Sequence, residues 1–411
     1  MRLGPIISQG ILYGSSQAAL NFSAALLIIF FSYTGETTLV FKTGIFYSLF
    51  AILQYTMSLR YELGMYIDGG KFKEKFLITA LINSFCCLLI LVGFFEVFFN
   101  YYELVFGIPK TEFQLMILAC YVGATSLTLK QFYLLKQKAN KVVMVNFLSI
   151  FILILTVLVS YSADTLDIYI FLYSHIAGNL FLIIYWIFRD LSLKSFSFYH
   201  HYETFMRGIE YLKFSTPGLM INLISQNFLI LFLASVASEN EVTQLIIIMR
   251  LLSAPLSIFA MPVSHAISSE ITSAIKNKLS ITTSLIKSFS IISLLVLLYH
   301  VLLILIPEKW LILFGIDPLV WMSLYFLLLA FSITRSAVSP FSNILNVLKK
   351  ERLVFKLQSL NIFAIIIMII FNYLPIESLI LIYVINAVAF QLLVLINIYM
   401  QSQMYDKGLT H

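Results

Sequence analysis

The sequence predicts an all-α polytopic membrane protein, with twelve transmembrane helices in two six-helix lobes around a central cavity. Three observations predict it. The 411 residues are 60% hydrophobic and 11% charged, with a mean hydropathy of +0.95, whereas a soluble domain carries about 25% charged residues. Twelve apolar runs each approach the twenty or so residues that a bilayer requires. Basic residues fall in alternate loops, the pattern that sets topology in membranes.

The runs cover 7–31, 39–58, 76–98, 113–129, 142–160, 168–188, 214–237, 242–267, 288–306, 320–345, 353–371 and 379–399. The first, eighth and tenth are long enough to tilt or to project beyond the lipid. One set of loops holds Arg2, then Arg60, Lys71, Lys73 and Lys75, then Lys130, Lys136, Lys138 and Lys141. It continues with Arg189, Lys194, Arg207 and Lys213, with Lys276, Lys278 and Lys287, and with Lys349, Lys350, Arg352, Lys356 and Lys407. The other set holds only Lys42, Lys110 and Lys309 and is otherwise acidic, from Glu36, Glu96, Glu103 and Glu112 to Glu377. This alternation predicts both termini in the cytoplasm. The first run is too long for a signal-peptide core and lacks a small-residue cleavage site. Cys86, Cys87 and Cys120 all lie in apolar runs and suggest neither a disulfide framework nor a zinc site.

The longest loop, 189–212, divides the chain into lobes at 1–190 and 213–411, with a cytoplasmic linker at 191–212. Its mixture of aromatic and charged residues predicts an amphipathic helix on the membrane surface. A faint parallel repeat supports the two lobes. Each begins with a polar-spotted span, then a short acidic outer loop, then a second span. Outer loops are short throughout, leaving no large extracytoplasmic domain to hold an active site.

The eighth run is the most informative. Arg250 lies about 12 Å along it at 1.5 Å per residue, and a guanidinium at that depth is costly unless it faces protein or water. Pro255 and Pro262 follow, each removing a helical hydrogen bond. Polar stripes mark three other runs. Gln17 and Asn21 share a face of the first, beside Ser16 and Ser23. Asn222, Ser225 and Gln226 share a face of the seventh. Ser332, Arg335, Ser339, Ser342 or Asn343, and Asn346 recur along the tenth. Serine and asparagine in spans generally bond helices together, and Arg335 lies near enough to a helix end to snorkel. Arg60 and Glu62 form a local pair at the inner mouth of the second span, and Lys42 reads as a snorkelling residue. His175 and His300 could each carry a proton, although a lone histidine in a span is more often a hydrogen-bonded packing residue. No phosphate-cradling loop, zinc-protease motif or nucleophile elbow occurs.

Three of these stretches carry a resemblance. Ser58-Leu59-Arg60-Tyr61-Glu62-Leu63, the segment from Met249-Arg250-Leu251 to Pro255-Leu256-Ser257, and Phe314-Gly315-Ile316-Asp317 with Ser339-Pro340-Phe341-Ser342-Asn343 stand in register with the twelve runs. Together they resemble the bacterial polysaccharide repeat-unit (O-antigen) flippases of the multidrug/oligosaccharidyl-lipid/polysaccharide exporter superfamily. The resemblance implies a non-enzymatic transporter of the bacterial inner membrane. Its substrate would be an oligosaccharide on undecaprenyl pyrophosphate, flipped by alternating access. Membrane lipids and a polysaccharide polymerase are the implied partners, and nothing points to nucleic acid. No cofactor is implied beyond a coupling H+ or Na+. Arg250, Arg335 and Arg60 would hold the pyrophosphate, because a guanidinium fork matches phosphate oxygens. Gln17, Asn21, Asn222, Gln226, Ser339 and Asn343 would meet the sugars. Two other readings remain open. A multidrug exporter of the same superfamily needs intramembrane carboxylates for cations, and an O-antigen polymerase or other membrane glycosyltransferase needs a larger outer loop.

Overall fold

The computed structural model describes residues 26–67, 73–106, 108–136, 138–189, 198–255, 280–342 and 350–408, and single positions at 16, 19, 23, 267, 271, 274, 344, 345 and 348. Among them every regular element is helical. Ten helices are long and apolar enough to cross a membrane. They correspond to ten of the expected runs. Most of the first run lies outside the described residues, and the eighth is described as far as Pro255. The chain is an all-α, multi-pass membrane protein.

In chain order the helices are α1 (Thr37–Thr56), α2 (Lys73–Phe106), α3 (Lys110–Leu135), α4 (Ala139–Ser162), α5 (Ile168–Arg189) and α6 (Phe198–Arg207). Then come α7 (Thr216–Val236), α8 (Glu239–Pro255), α9 (Thr282–Ile304), α10 (Glu308–Leu313), α11 (Pro318–Val338), α12 (Glu351–Ser359), α13 (Asn361–Ile370) and α14 (Ile376–Asp406). Several boundaries differ from the expected runs, α2 running on to Phe106 and α3 to Leu135 among them. The tenth span stops being α-helical at Val338 and tightens into a 3-10 turn, Ser339–Phe341, because Pro340 offers no N–H and its ring crowds the preceding turn. The eleventh is two helices, parted at Leu360, whose N–H turns to the Leu357 carbonyl at 3.1 Å. The twelfth continues two turns past Tyr399.

By packing, the chain forms two compact units, one of residues 41–236 and one of residues 1–40 with 237–411. This cut differs from the lobe boundaries read at 190 and 213, since the first run goes with the later helices and α7 with the earlier ones.

In the middle unit, 41–236, α3 is the central helix. It packs against α2 and α5, and α5 packs against α4. Hydropathy follows this order: α3 is mostly buried and only moderately apolar, while the segment 140–162 on α4 is less buried and far more apolar. A helix surrounded by protein can carry polar groups that a lipid-facing helix cannot. The backbones of α4 and α5 meet at Gly178, where an added Cβ would lie 2.9 Å from Ser149, and the Ser149 hydroxyl donates to the Gly178 carbonyl at 2.9 Å. The linker helix α6 has two faces. One docks inward, where Phe205 stacks on Tyr61 at 5.4 Å and the Tyr61 hydroxyl donates to the Phe205 carbonyl at 2.8 Å. The other leaves Tyr202 and Met206 exposed.

In the other unit, α11 packs against α8, α9 and α14. Its start is set locally. Asp317 accepts the Leu319 N–H at 2.8 Å, with Pro318 in the first helical position. Gly315 just before it has φ +69°, and Ser32 closes on this corner by donating to the Phe314 carbonyl at 2.8 Å. The start of α8 is a capping box. Ser238 N–H and hydroxyl donate to Glu241 at 3.0 and 2.6 Å, and Glu241 N–H returns to Ser238 at 3.4 Å. Asp406, ending α14, takes the Ile281 and Thr282 N–H groups at the start of α9 at 2.9 and 3.2 Å.

Candidate functional site

The site begins with a missing hydrogen-bond donor. Pro255 has no N–H, so the Leu251 carbonyl four residues earlier loses its helical partner. Within a bilayer such a carbonyl must be satisfied by protein. The Tyr299 hydroxyl of α9 donates to it at 2.8 Å. One residue on, the Leu252 carbonyl receives the Ser332 hydroxyl of α11 at 2.6 Å. The end of α8 is thus held by hydroxyls from two neighbouring helices.

His300 of α9 sits behind these hydroxyls and is 3% exposed. Its Nε2 lies 3.1 Å from Ser332 Oγ and its Nδ1 3.3 Å from the Tyr325 hydroxyl, which also donates to the His300 carbonyl at 2.9 Å. Trp321 lies against Tyr325 with ring centroids 5.0 Å apart.

On the α8–α11 seam the same serine lines a small cavity with Arg335, Ser253, Ser336, Met249 and Phe331. Its volume is about 20 Å³, room for roughly one water. Arg335 lies over the Phe331 ring at 5.5 Å, and Phe331 meets Tyr383 of α14 edge-on at 5.3 Å. Chemically this is one guanidinium with three hydroxyls on an apolar floor, a set of donors suited to phosphate oxygens.

Of the residues singled out in the sequence, Arg250, Arg335 and Ser339 fall in this unit. Arg250 is partly buried on α8 beside Met249, and its carbonyl accepts the Ser253 hydroxyl at 3.1 Å. Ser339 opens the 3-10 turn after α11 and is not part of the cavity wall. Arg60, Asn222 and Gln226 fall in the middle unit. Arg60 stands in a left-handed turn at φ 63°, with Nη1 3.8 Å from Glu62, whose other oxygen takes the Ser58 hydroxyl. Gln226 donates to Asn222 at 3.1 Å. Gln17, Asn21, Asn343, Asn346 and Pro262 lie outside the described residues.

The structure corrects two sequence readings. Lys42 does not snorkel. Its Nζ pairs with Glu112 of α3 at 2.9 Å, and Glu112 is 5% exposed. Lys130 is not a loop marker, because it lies on α3 and is 4% exposed. Near it, His175 of α5 stands edge-on to Phe46 and Phe50 at 5.6 and 4.7 Å. Sequence reasoning missed Tyr299 as the partner of the Leu251 carbonyl, and it left the partners of His300 unnamed. The available signal was Pro255, whose freed carbonyl demands a donor from another span.

No protein-family model matches the sequence, and a search by sequence finds no relative among curated proteins. Solved structures do match in fold. The lipid II flippase MurJ in an inward closed conformation is 14% identical, with a TM-score of 0.66 over 97% of this chain and 90% of that one. An inward-facing multidrug resistance MATE family transporter of the MOP superfamily is 16% identical, with a TM-score of 0.61 over 99% and 96%. An outward-facing conformation of a multidrug resistance MATE family transporter is 14% identical, with a TM-score of 0.62 over 98% and 96%. At these identities the likeness establishes the fold, over nearly the whole length of each chain.

Proposed function

We propose that the protein is a flippase that carries undecaprenyl-pyrophosphate-linked polysaccharide repeat units from the inner to the outer leaflet of a bacterial inner membrane. Its two six-helix lobes, 1–190 and 213–411, would work by ion-coupled alternating access, with both termini cytoplasmic. The observation that carries this reading is Arg335, a guanidinium placed with three serines in a cavity of the α8–α11 seam. An arginine within a membrane span is costly and marks a path for something that needs it. A diphosphate is such a cargo. Likeness in fold to a lipid II flippase supports a lipid-linked substrate.

In the conformation described, the cavity holds about one water, so a pyrophosphate gains access only when α8 and α11 part. The α8 helix loses a backbone bond at Pro255, which supplies a place to bend. Arg250, on the same helix, supplies a second cation. Arg60, Gln17, Asn21, Asn222, Gln226, Ser339 and Asn343 are proposed headgroup and sugar contacts elsewhere in the cycle. A polysaccharide polymerase is the proposed recipient of the flipped unit.

The likeness to MATE transporters favours one second reading, export of amphipathic drugs. Cationic drugs need an available carboxylate. The two buried carboxylates among the described residues, Glu62 and Glu112, face Arg60 and Lys42 respectively. Complementation of a flippase-null strain separates the two. The wild-type protein restores surface polysaccharide, and Arg250→Gln with Arg335→Gln does not, although the double variant inserts normally. Normal polysaccharide from the inserted double variant would reject the flippase reading.

A further inference from the structure

We propose that His300 is the proton-binding site of the transport cycle, and that its proton decides whether Ser332 stays fastened to the Leu252 carbonyl of α8. The inference rests on the transport reading above and assigns that cycle a coupling group.

Ser332 has one hydroxyl hydrogen, and the 2.6 Å contact places it on the Leu252 carbonyl. At 3.1 Å from His300, Ser332 then acts as acceptor, so Nε2 carries a hydrogen. Tyr325 likewise has one hydrogen and two acceptors within reach, the His300 carbonyl at 2.9 Å and Nδ1 at 3.3 Å. In the neutral imidazole, Nδ1 offers a lone pair and the Tyr325 hydroxyl can turn to it. When Nδ1 takes a proton, Tyr325 turns its hydrogen to the His300 carbonyl and accepts from Nδ1–H. The imidazolium is then fully bonded: Nε2–H to Ser332 to Leu252 on one side, Nδ1–H to Tyr325 to His300 O on the other. The pocket accommodates one extra proton by turning one hydroxyl.

The two states treat α8 differently. The imidazolium has no lone pair, so it cannot attract the Ser332 hydrogen, which stays on Leu252. The neutral ring can move its own hydrogen to Nδ1 and draw the Ser332 hydrogen to Nε2, which releases the Leu252 carbonyl. Ser332 also lines the cavity with Arg335, so a phosphate oxygen arriving there competes for the same hydrogen. Proton and ligand therefore act on one hydroxyl, one residue past the carbonyl that Pro255 deprives of its backbone bond.

Among the described groups of the packed helices, His300 is the one placed to take a proton. Its α9 neighbour is Tyr299. From α11 come Tyr325 and Arg335, from α8 Arg250, and from α14 Tyr383. The carboxylates of the packed helices, Glu239, Glu241, Glu377 and Asp406, and the α11 cap Asp317, stand at helix ends.

The test uses the full chain in proteoliposomes containing pyranine, under an imposed pH gradient and membrane potential, with complementation of a flippase-null strain run in parallel. His300→Gln is expected to cut proton entry into the vesicles about tenfold or more, toward the protein-free rate, the scale of losing hydrogen bonds to a charged group. Tyr325→Phe keeps the ring and removes only the hydroxyl that bonds Nδ1 and the His300 carbonyl, so it reports even if the glutamine variant fails to fold, and should cut entry about tenfold. His201→Gln, on the linker helix, should match wild type. Wild-type proton entry in His300→Gln, or wild-type export without proton entry, overturns the proposal while leaving the flippase reading standing. A wild-type protein that neither exports nor passes protons sinks both.

Discussion

Each unit sets a histidine near a cation among packed helices, and the two places are built differently. On the α8–α9–α11 seam, His300 has a hydroxyl at each ring nitrogen, and Arg335 lines a cavity nearby. On the α1–α3–α5 seam, His175 is boxed by Phe46 and Phe50, and its Nε2 has no hydrogen-bond partner among the described residues. Lys130 close by forms no ion pair with a described carboxylate. What differs is the set of donors and acceptors around each ring, and that set decides whether a proton has somewhere to go.

The largest effect expected from this contrast falls on transport. Arg335→Gln removes a bidentate phosphate donor and should lower flipping of lipid-linked repeat units about a hundredfold, the equivalent of roughly 3 kcal/mol. The readout is accessibility of the labelled repeat unit in the outer leaflet of spheroplasts. Unchanged flipping with normal insertion would make Arg335 a packing residue, no different in kind from Lys130.

How much of this was legible follows from the same residues. Apolar runs and loop charges sufficed for the fold, because a bilayer imposes length and sign on every span. Asp317-Pro318 marks the start of α11, and Ser238-x-x-Glu241 is a capping box readable from the letters alone. Lys130 was hidden because a hydropathy run ends at its first charge, whereas α3 runs on to Leu135 inside protein. The partners of His300 were hidden because they come from 25 and 32 residues away, on another helix. Pro255 announced a freed carbonyl but not the tyrosine that would meet it.

Stability sharpens the contrast at the two rings. His175→Phe extends an aromatic box and should cost less than about 1.5 kcal/mol. His300→Phe strands the Tyr325 and Ser332 hydroxyls against an apolar edge and should cost about 1–3 kcal/mol. Thermal midpoints of the two purified variants in one detergent decide the matter. Equal shifts would mean that the hydrogen bonds of His300 contribute nothing beyond its volume.

A smaller effect, of opposite sign, is expected at Lys130. Lys130→Met removes a buried charge and leaves no carboxylate behind, so it should stabilise the protein by about 1 kcal/mol. The same replacement at Arg335 takes away the donors that line a polar cavity. If Lys130→Met lowers the thermal midpoint, the ammonium is held by groups that a thioether cannot replace, and the two seams are less different than their described partners make them.

The smallest effect concerns how the key helix of each unit begins. α8 starts with the Ser238–Glu241 box, whereas α3 starts at Pro109 without a side-chain cap. The hydrogen bonds from Ser238 hold the Glu241 carboxyl below its usual range. A lowered carboxyl contributes stability above its unfolded value, near 4.3, and loses that contribution as pH falls through the lower folded value. Because Glu241 is exposed, the contribution is a few tenths of a kcal/mol at about the low end of capping energies. Hydrogen exchange, corrected for intrinsic rates, should therefore show the first turn of α8 losing protection below about pH 4, and Glu241→Gln should show part of that loss already at pH 7. In Glu241→Gln at pH 7 the first turn of α3 should not change in step, since that turn has no capping box and its Glu112 is held by Lys42. Parallel loss at both helix starts would trace the acid response to the whole bundle and remove the capping box as its cause.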